Sequence, residues 1–86
     1  MLHIAAAVEL DTVVEYLVSR DLLTAYRKAK GKLLAGVATG LDFKKRKPRT
    51  LNVYQFRINQ KYRAFGHFDE KDPAKFVVFR ISDHQD

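Results

Sequence analysis

The chain has 86 residues, 47% of them hydrophobic and 30% charged, with 16 Lys plus Arg against 10 Asp plus Glu and a formal net charge of +6. This length and apolar fraction fit one modest core and exclude intrinsic disorder, and the lack of cysteine excludes a disulfide framework and a thiolate metal site. No apolar run approaches the ~20 residues that span a bilayer, no signal-peptide pattern opens the sequence, and the basic balance points to an anionic partner.

Taken in chain order, Leu2 to Ala5 offers a short edge strand. Leu10, Val13, Val14, Leu17 and Val18 then repeat at the spacing of one helix face. Asp21 is a candidate cap for a second helix, whose apolar stripe is Leu22, Tyr26, Ala29 and Leu33. Gly36 and Gly40 are stop signals. The short gap around Ser19 to Asp21 predicts an antiparallel helical hairpin. Val53 to Ile58 alternates as a strand, with Tyr54, Phe56 and Ile58 on one face and Gln55 and Arg57 on the other. Asn59 to Lys61 reads as a turn, Tyr62 to Phe68 as a second strand and Lys75 to Ile81 as a third, with a polar, Pro-containing turn at Asp69 to Pro73. The expectation is a single α+β domain over residues 1–86. It has an N-terminal helical hairpin packed on one face of an antiparallel, three- to four-stranded meander.

Charge is distributed unevenly. Lys44, Lys45, Arg46, Lys47, Arg49, Arg57, Lys61 and Arg63 fall in one stretch that holds no acid, and these eight exceed the net charge of the whole chain. A turn centred on Gln60 sets Arg57 opposite Arg63 on the face away from Phe56. Like charges in that position are destabilising unless an anion lies between them, and the planar fork of arginine suits phosphate. Arg80 joins the same face if the register of the third strand allows it. His84 follows that strand and is the natural general acid or base near neutral pH. Arginines beside a titratable histidine are the minimum equipment for metal-free phosphodiester cleavage by a ribose 2′-hydroxyl. His3, His67 and His84 lack zinc-ligand clustering, so no metal or other cofactor is expected. Lys44, Lys45, Arg46, Lys47 and Arg49 form a basic run that either contacts RNA or stays solvated. Lys61 either touches phosphate or solvates the turn. The alternation assigns Tyr54, Phe56, Tyr62, Phe68 and Phe76 to the core, whereas Phe65 shares the Arg63 face and is the candidate for stacking on a base.

The string from Tyr54 to Gly66 (YQFRINQKYRAFG), followed by Phe76 to His84 (FVVFRISDH), resembles the RelE/ParE toxin superfamily of bacterial toxin–antitoxin pairs. The likeness covers most of the chain, and its specific part is the C-terminal third. It implies a cytoplasmic toxin of the RelE branch, which cleaves messenger RNA on the ribosome without metal. Arg57 and Arg63 match the family's phosphate-binding arginines, and Arg80 matches a further basic position on the last strand. His84 matches the terminal acid or base, and residues 44–49 match a loop that docks on ribosomal RNA. A cognate antitoxin protein is the implied partner, with no membrane and no small-molecule cofactor. The sequence departs from the family in its short, Ala-rich opening and in lacking a tyrosine after His84, and Asp83 is the only carboxylate candidate for a base. Two alternatives stay open: a ParE-like gyrase inhibitor and a non-catalytic RNA-binding module of the same fold.

Overall fold

The computed structural model describes residues 4–37 and 39–83. It is an α+β fold of two helices and a five-stranded mixed sheet. The helices do not open it. Strand β1 (Ala6–Glu9) precedes α1 (Asp11–Ser19) and α2 (Leu23–Ala35). Strands β2 (Lys44–Lys45), β3 (Tyr54–Arg57), β4 (Arg63–Phe68) and β5 (Lys75–Ser82) follow, with a 3₁₀ turn at Arg49–Leu51 before β3. The sheet order is β1-β5-β4-β3-β2. β3, β4 and β5 form the expected antiparallel meander, β2 pairs antiparallel with β3, and β1 pairs parallel with β5.

Two parts of the sequence expectation are therefore corrected. The sheet has five strands and is mixed rather than purely antiparallel. The opening strand lies at Ala6–Glu9, later than the Leu2 to Ala5 segment read from sequence, of which Ile4 and Ala5 are irregular and the first two residues lie outside the described ones. A parallel partner distant in sequence supplies the ladder, so the small alanines need no strong strand propensity of their own.

In α1 only Val13 and Leu17, one turn apart, are fully buried, and Leu10, Val14 and Val18 face outward. The helix is short and packs on β5, so its buried stripe is narrower than the apolar pattern. Asp21 does not cap α2. It takes a left-handed conformation (φ 56°) in the turn, and the Leu22 N–H donates to the Leu17 carbonyl. In α2 the stripe Leu22, Tyr26, Ala29 and Leu33 is buried as its spacing requires. Gly36 closes the helix at φ 74°, where the Val37 N–H bonds back to the Lys32 carbonyl.

The helices cover one face of the sheet. Phe56, Ala64, Phe76, Val78 and Ile81 meet Val13, Leu17, Tyr26 and Leu33 there. Beside them Phe43, Tyr54, Phe68 and Phe76 form an aromatic cluster with ring centroids 5.1–6.5 Å apart. The Tyr26 hydroxyl donates to Glu9 (2.7 Å), which also accepts from Lys30 (2.8 Å), tying α2 to β1. Burial, and after it the bond to Glu9 and that residue's charge, pushes the Tyr26 hydroxyl well above the ordinary tyrosine range.

One irregularity shapes the other face. Arg80 pairs with Phe65, but Gly66 pairs with Val78, so Phe79 is an extra residue in β5. Strict alternation from Phe76 and Val78 would turn Arg80 into the core. The bulge reverses this: Ile81 goes inward opposite Ala64, and Arg80 goes outward. Gly66 allows the close strand approach at this point. A Cβ there would collide with the Val77 carbonyl oxygen and come within 2.6 Å of the Phe76 ring.

Candidate nucleic-acid interface

The sheet face opposite the helices collects the charged residues. Arg57 stands directly across from Arg63 in the β3–β4 register, as the Gln60-centred turn requires. Asn59 builds that turn: its side-chain oxygen accepts from the Lys61 and Tyr62 N–H groups at 2.9 and 2.8 Å. Lys61 itself is exposed, with its ammonium 5.5 Å from the centre of the Tyr62 ring. Across β4, Arg63 pairs with Ser82 and Phe65 with Arg80, so Arg57, Arg63, Phe65, Arg80 and Ser82 share one face.

Phe65 is 1% exposed, although it lies on the outer face. Two guanidinium groups cover it. Arg80 Cζ lies 4.5 Å from the ring centre and Arg46 Cζ lies 5.1 Å from it. Arg46 also donates to the Gln55 side-chain oxygen at 2.8 Å. Phe65 is thus not open to a base. It seats the two arginines through cation–π contact, each worth roughly 0.5–1 kcal/mol, and fixes where their remaining N–H groups point.

The arginine pair is less symmetrical than its register. Arg63 is 7% exposed, and its Nη1 donates to the Asn59 and Tyr62 carbonyls at 3.1 and 3.3 Å. Part of its donor set therefore holds its own turn together. The Arg57 Nε is buried with no hydrogen-bond partner, a costly state for a charged donor. Among the described residues, none of Arg57, Arg63 and Arg80 has a carboxylate partner.

The basic run is partly strand. Lys44 and Lys45 pair with Gln55 and Tyr54 at the sheet edge, where lysine is a common device against edge-to-edge pairing. Lys44 lies 3.7 Å from Asp42, both exposed, and Lys45 lies 5.8 Å from the Tyr54 ring centre. Lys44, Lys45, Arg46 and Lys47 line a shallow hollow of about 300 Å³. Arg49 begins the 3₁₀ turn, and only its backbone is described. His67 lies on the Phe65 face, exposed, stacked on Phe79 at 5.8 Å. Asp83 is exposed, and His84 lies outside the described residues.

The face thus brings together Arg46, Arg57, Arg63 and Arg80, with Phe65 supporting Arg46 and Arg80. Gln55 is the member that sequence reasoning passed over. Its alternation with Arg57 already placed it on this face, but nothing local announced Arg46 as its partner. No protein-family model matches this chain, and no curated protein is significantly similar to it.

Proposed function

We propose that this protein is an RNA-binding, RelE-like toxin, a cytoplasmic endoribonuclease that cleaves messenger RNA on the ribosome and is neutralised by a cognate antitoxin. The observation that carries the reading is the outer face itself. Arg57 and Arg63 stand opposite one another and Arg80 lies beside them, none with a carboxylate partner. Uncompensated guanidinium groups at close quarters favour a bound polyanion, and their forked geometry favours phosphate. The order of a strand, two helices and a meander fits the same family.

Such a face acts on RNA in a definite way. Arg57 and Arg80 hold the non-bridging oxygens of one phosphate. The adjacent ribose 2′-hydroxyl loses its proton and attacks phosphorus, and the bond to the 5′-oxygen breaks. The products are a 2′,3′-cyclic phosphate and a 5′-hydroxyl. The arginines stabilise the extra charge that develops in the transition state, and His84 moves the protons.

One observation favours a second reading. Arg63 already spends donors on Asn59 and Tyr62, which suits a face that binds RNA without cutting it. Induced expression of the wild type and of His84→Ala, with primer extension on a translated message, separates the two. Growth arrest with new cuts, both lost in the variant, supports the ribonuclease. Arrest without cuts points to a gyrase-directed toxin, and no arrest leaves the binding module.

A further inference from the structure

We propose that the hollow between the 3₁₀ turn and the β4–β5 turn is a nucleobase subsite, in which a base of single-stranded RNA stacks on His67 beside Leu51. The hollow has a volume of about 520 Å³ and is bordered by Leu51 and Asn52, which precede β3, and by the end of β4 and its turn from His67 to Lys71. This inference rests on the RNA-binding reading above and names what lies next to the phosphate.

The strand register builds the hollow. Tyr54 pairs with Gly66, so the residues just before β3 run beside those just after Gly66. Asn52 takes a left-handed conformation (φ 54°) where the chain leaves the 3₁₀ turn. Leu51 is 63% exposed, the most exposed large apolar side chain among the described residues. The ring opposite it in the hollow is held in advance. The Phe68 carbonyl can only accept, so His67 Nδ1–H donates to it, at 3.1 Å. The imidazole also stacks on Phe79, with ring centres 5.8 Å apart and planes 28° apart. Phe79 does not border the hollow and His67 does, so Phe79 backs the imidazole and the imidazole forms the aromatic wall. A ring already ordered by two contacts loses little freedom when a second ring is laid on it.

Charge decides which part of a nucleotide belongs there. The rim carries two carboxylates, Asp69 and Glu70, against one ammonium, Lys71. Asp69 accepts from the Lys71 N–H at 3.0 Å and lies 3.6 Å from Lys75, whereas Glu70 has no ion pair among the described residues. Such a rim repels phosphate and leaves room for an uncharged, flat group. The arginines lie close by. His67 follows Phe65 by two residues on the same face of β4, roughly 7 Å along the strand, and Phe65 seats Arg46 and Arg80. A strand of RNA whose phosphate meets Arg80 therefore carries a base within reach of His67. Phe65, covered by its arginines, cannot serve as the stacking ring, and His67 with Phe79 behind it takes that part. Stacking of this kind tolerates any base, because every base has a π-face.

The test compares two probes of equal length and charge at constant ionic strength: a short single-stranded oligoribonucleotide, and the same ribose-phosphate chain without bases. NMR follows the Leu51 methyl groups, the His67 ring protons and the Arg80 Nε–H. The base-bearing probe should shift all three sets, and the baseless chain should shift Arg80 alone. His67→Ala should weaken binding of the base-bearing probe roughly tenfold or more and leave the baseless chain unaffected. His67→Phe should restore the difference between the probes. Both substitutions fall at an exposed position, so the fold is not at stake. Arg80 shifts without any at Leu51 and His67, or a His67→Ala variant that weakens both probes equally, would overturn the subsite and leave the RNA-binding face standing. An Arg80 resonance that responds to neither probe would overturn the RNA reading and the subsite with it.

Discussion

Replacing Phe65 by leucine removes a ring while keeping the site apolar. Two guanidinium groups lie on that ring, Arg80 at 4.5 Å and Arg46 at 5.1 Å, both inside the range where cation–π attraction operates. At about 0.5–1 kcal/mol each, Phe65→Leu should cost about 1–2 kcal/mol of stability. In a domain of this size that lowers the melting temperature by roughly 5–15 °C. The chain loses no charge, so the slope of RNA affinity against salt should stay unchanged while the affinity itself falls. Thermal unfolding by circular dichroism measures the first effect, and fluorescence anisotropy with labelled RNA measures the second. A double-mutant cycle with Arg80→Gln isolates the pair, with an expected coupling of about 0.5–1 kcal/mol. A coupling indistinguishable from zero, or an unchanged melting temperature, would refute the claim that Phe65 seats these arginines.

Gly66→Ala forces a Cβ against the Val77 carbonyl and the buried Phe76 ring, so it should cost about 1–3 kcal/mol by overpacking. Urea denaturation reads this, and an unchanged midpoint would contradict the close approach of β4 and β5. Tyr26→Phe removes the hydrogen bond to Glu9 but leaves Lys30 on that carboxylate, and should cost about 0.5–1.5 kcal/mol near neutral pH. The folded state holds the Tyr26 proton above the ordinary tyrosine range. That contribution is fully present below about pH 10 and is lost as the pH rises past it. Wild-type stability should therefore fall more steeply than that of Tyr26→Phe in alkaline titration, and parallel curves would contradict the assignment.

Local spacing made some of this legible in the sequence and long-range pairing hid the rest. The facing of Arg57 and Arg63 follows from a turn centred on Gln60, and the α2 stripe and its Gly36 stop follow from period and glycine chemistry. The parallel strand Ala6–Glu9 was misplaced because its stability comes from β5, at the far end of the chain. Lys44 and Lys45 form an edge strand, although no apolar alternation marks them. Arg80 reaches the outer face only through the Phe79 bulge, which no residue type in β5 signals. Alternation put Phe65 on the outer face correctly but could not show that Arg46, just after β2, and Arg80, on β5, cover it.

The account rests on phosphate contact by the outer arginines. Its most direct test is the affinity for a single-stranded RNA across a salt series, for the wild type, Arg57→Gln and Arg80→Gln. Each arginine that neutralises one phosphate should lower the slope of log K against log salt by about 0.7 when removed. A steep wild-type slope reduced by about that amount in each variant is the expected result. A salt-independent affinity, or slopes that all three proteins share, would contradict it.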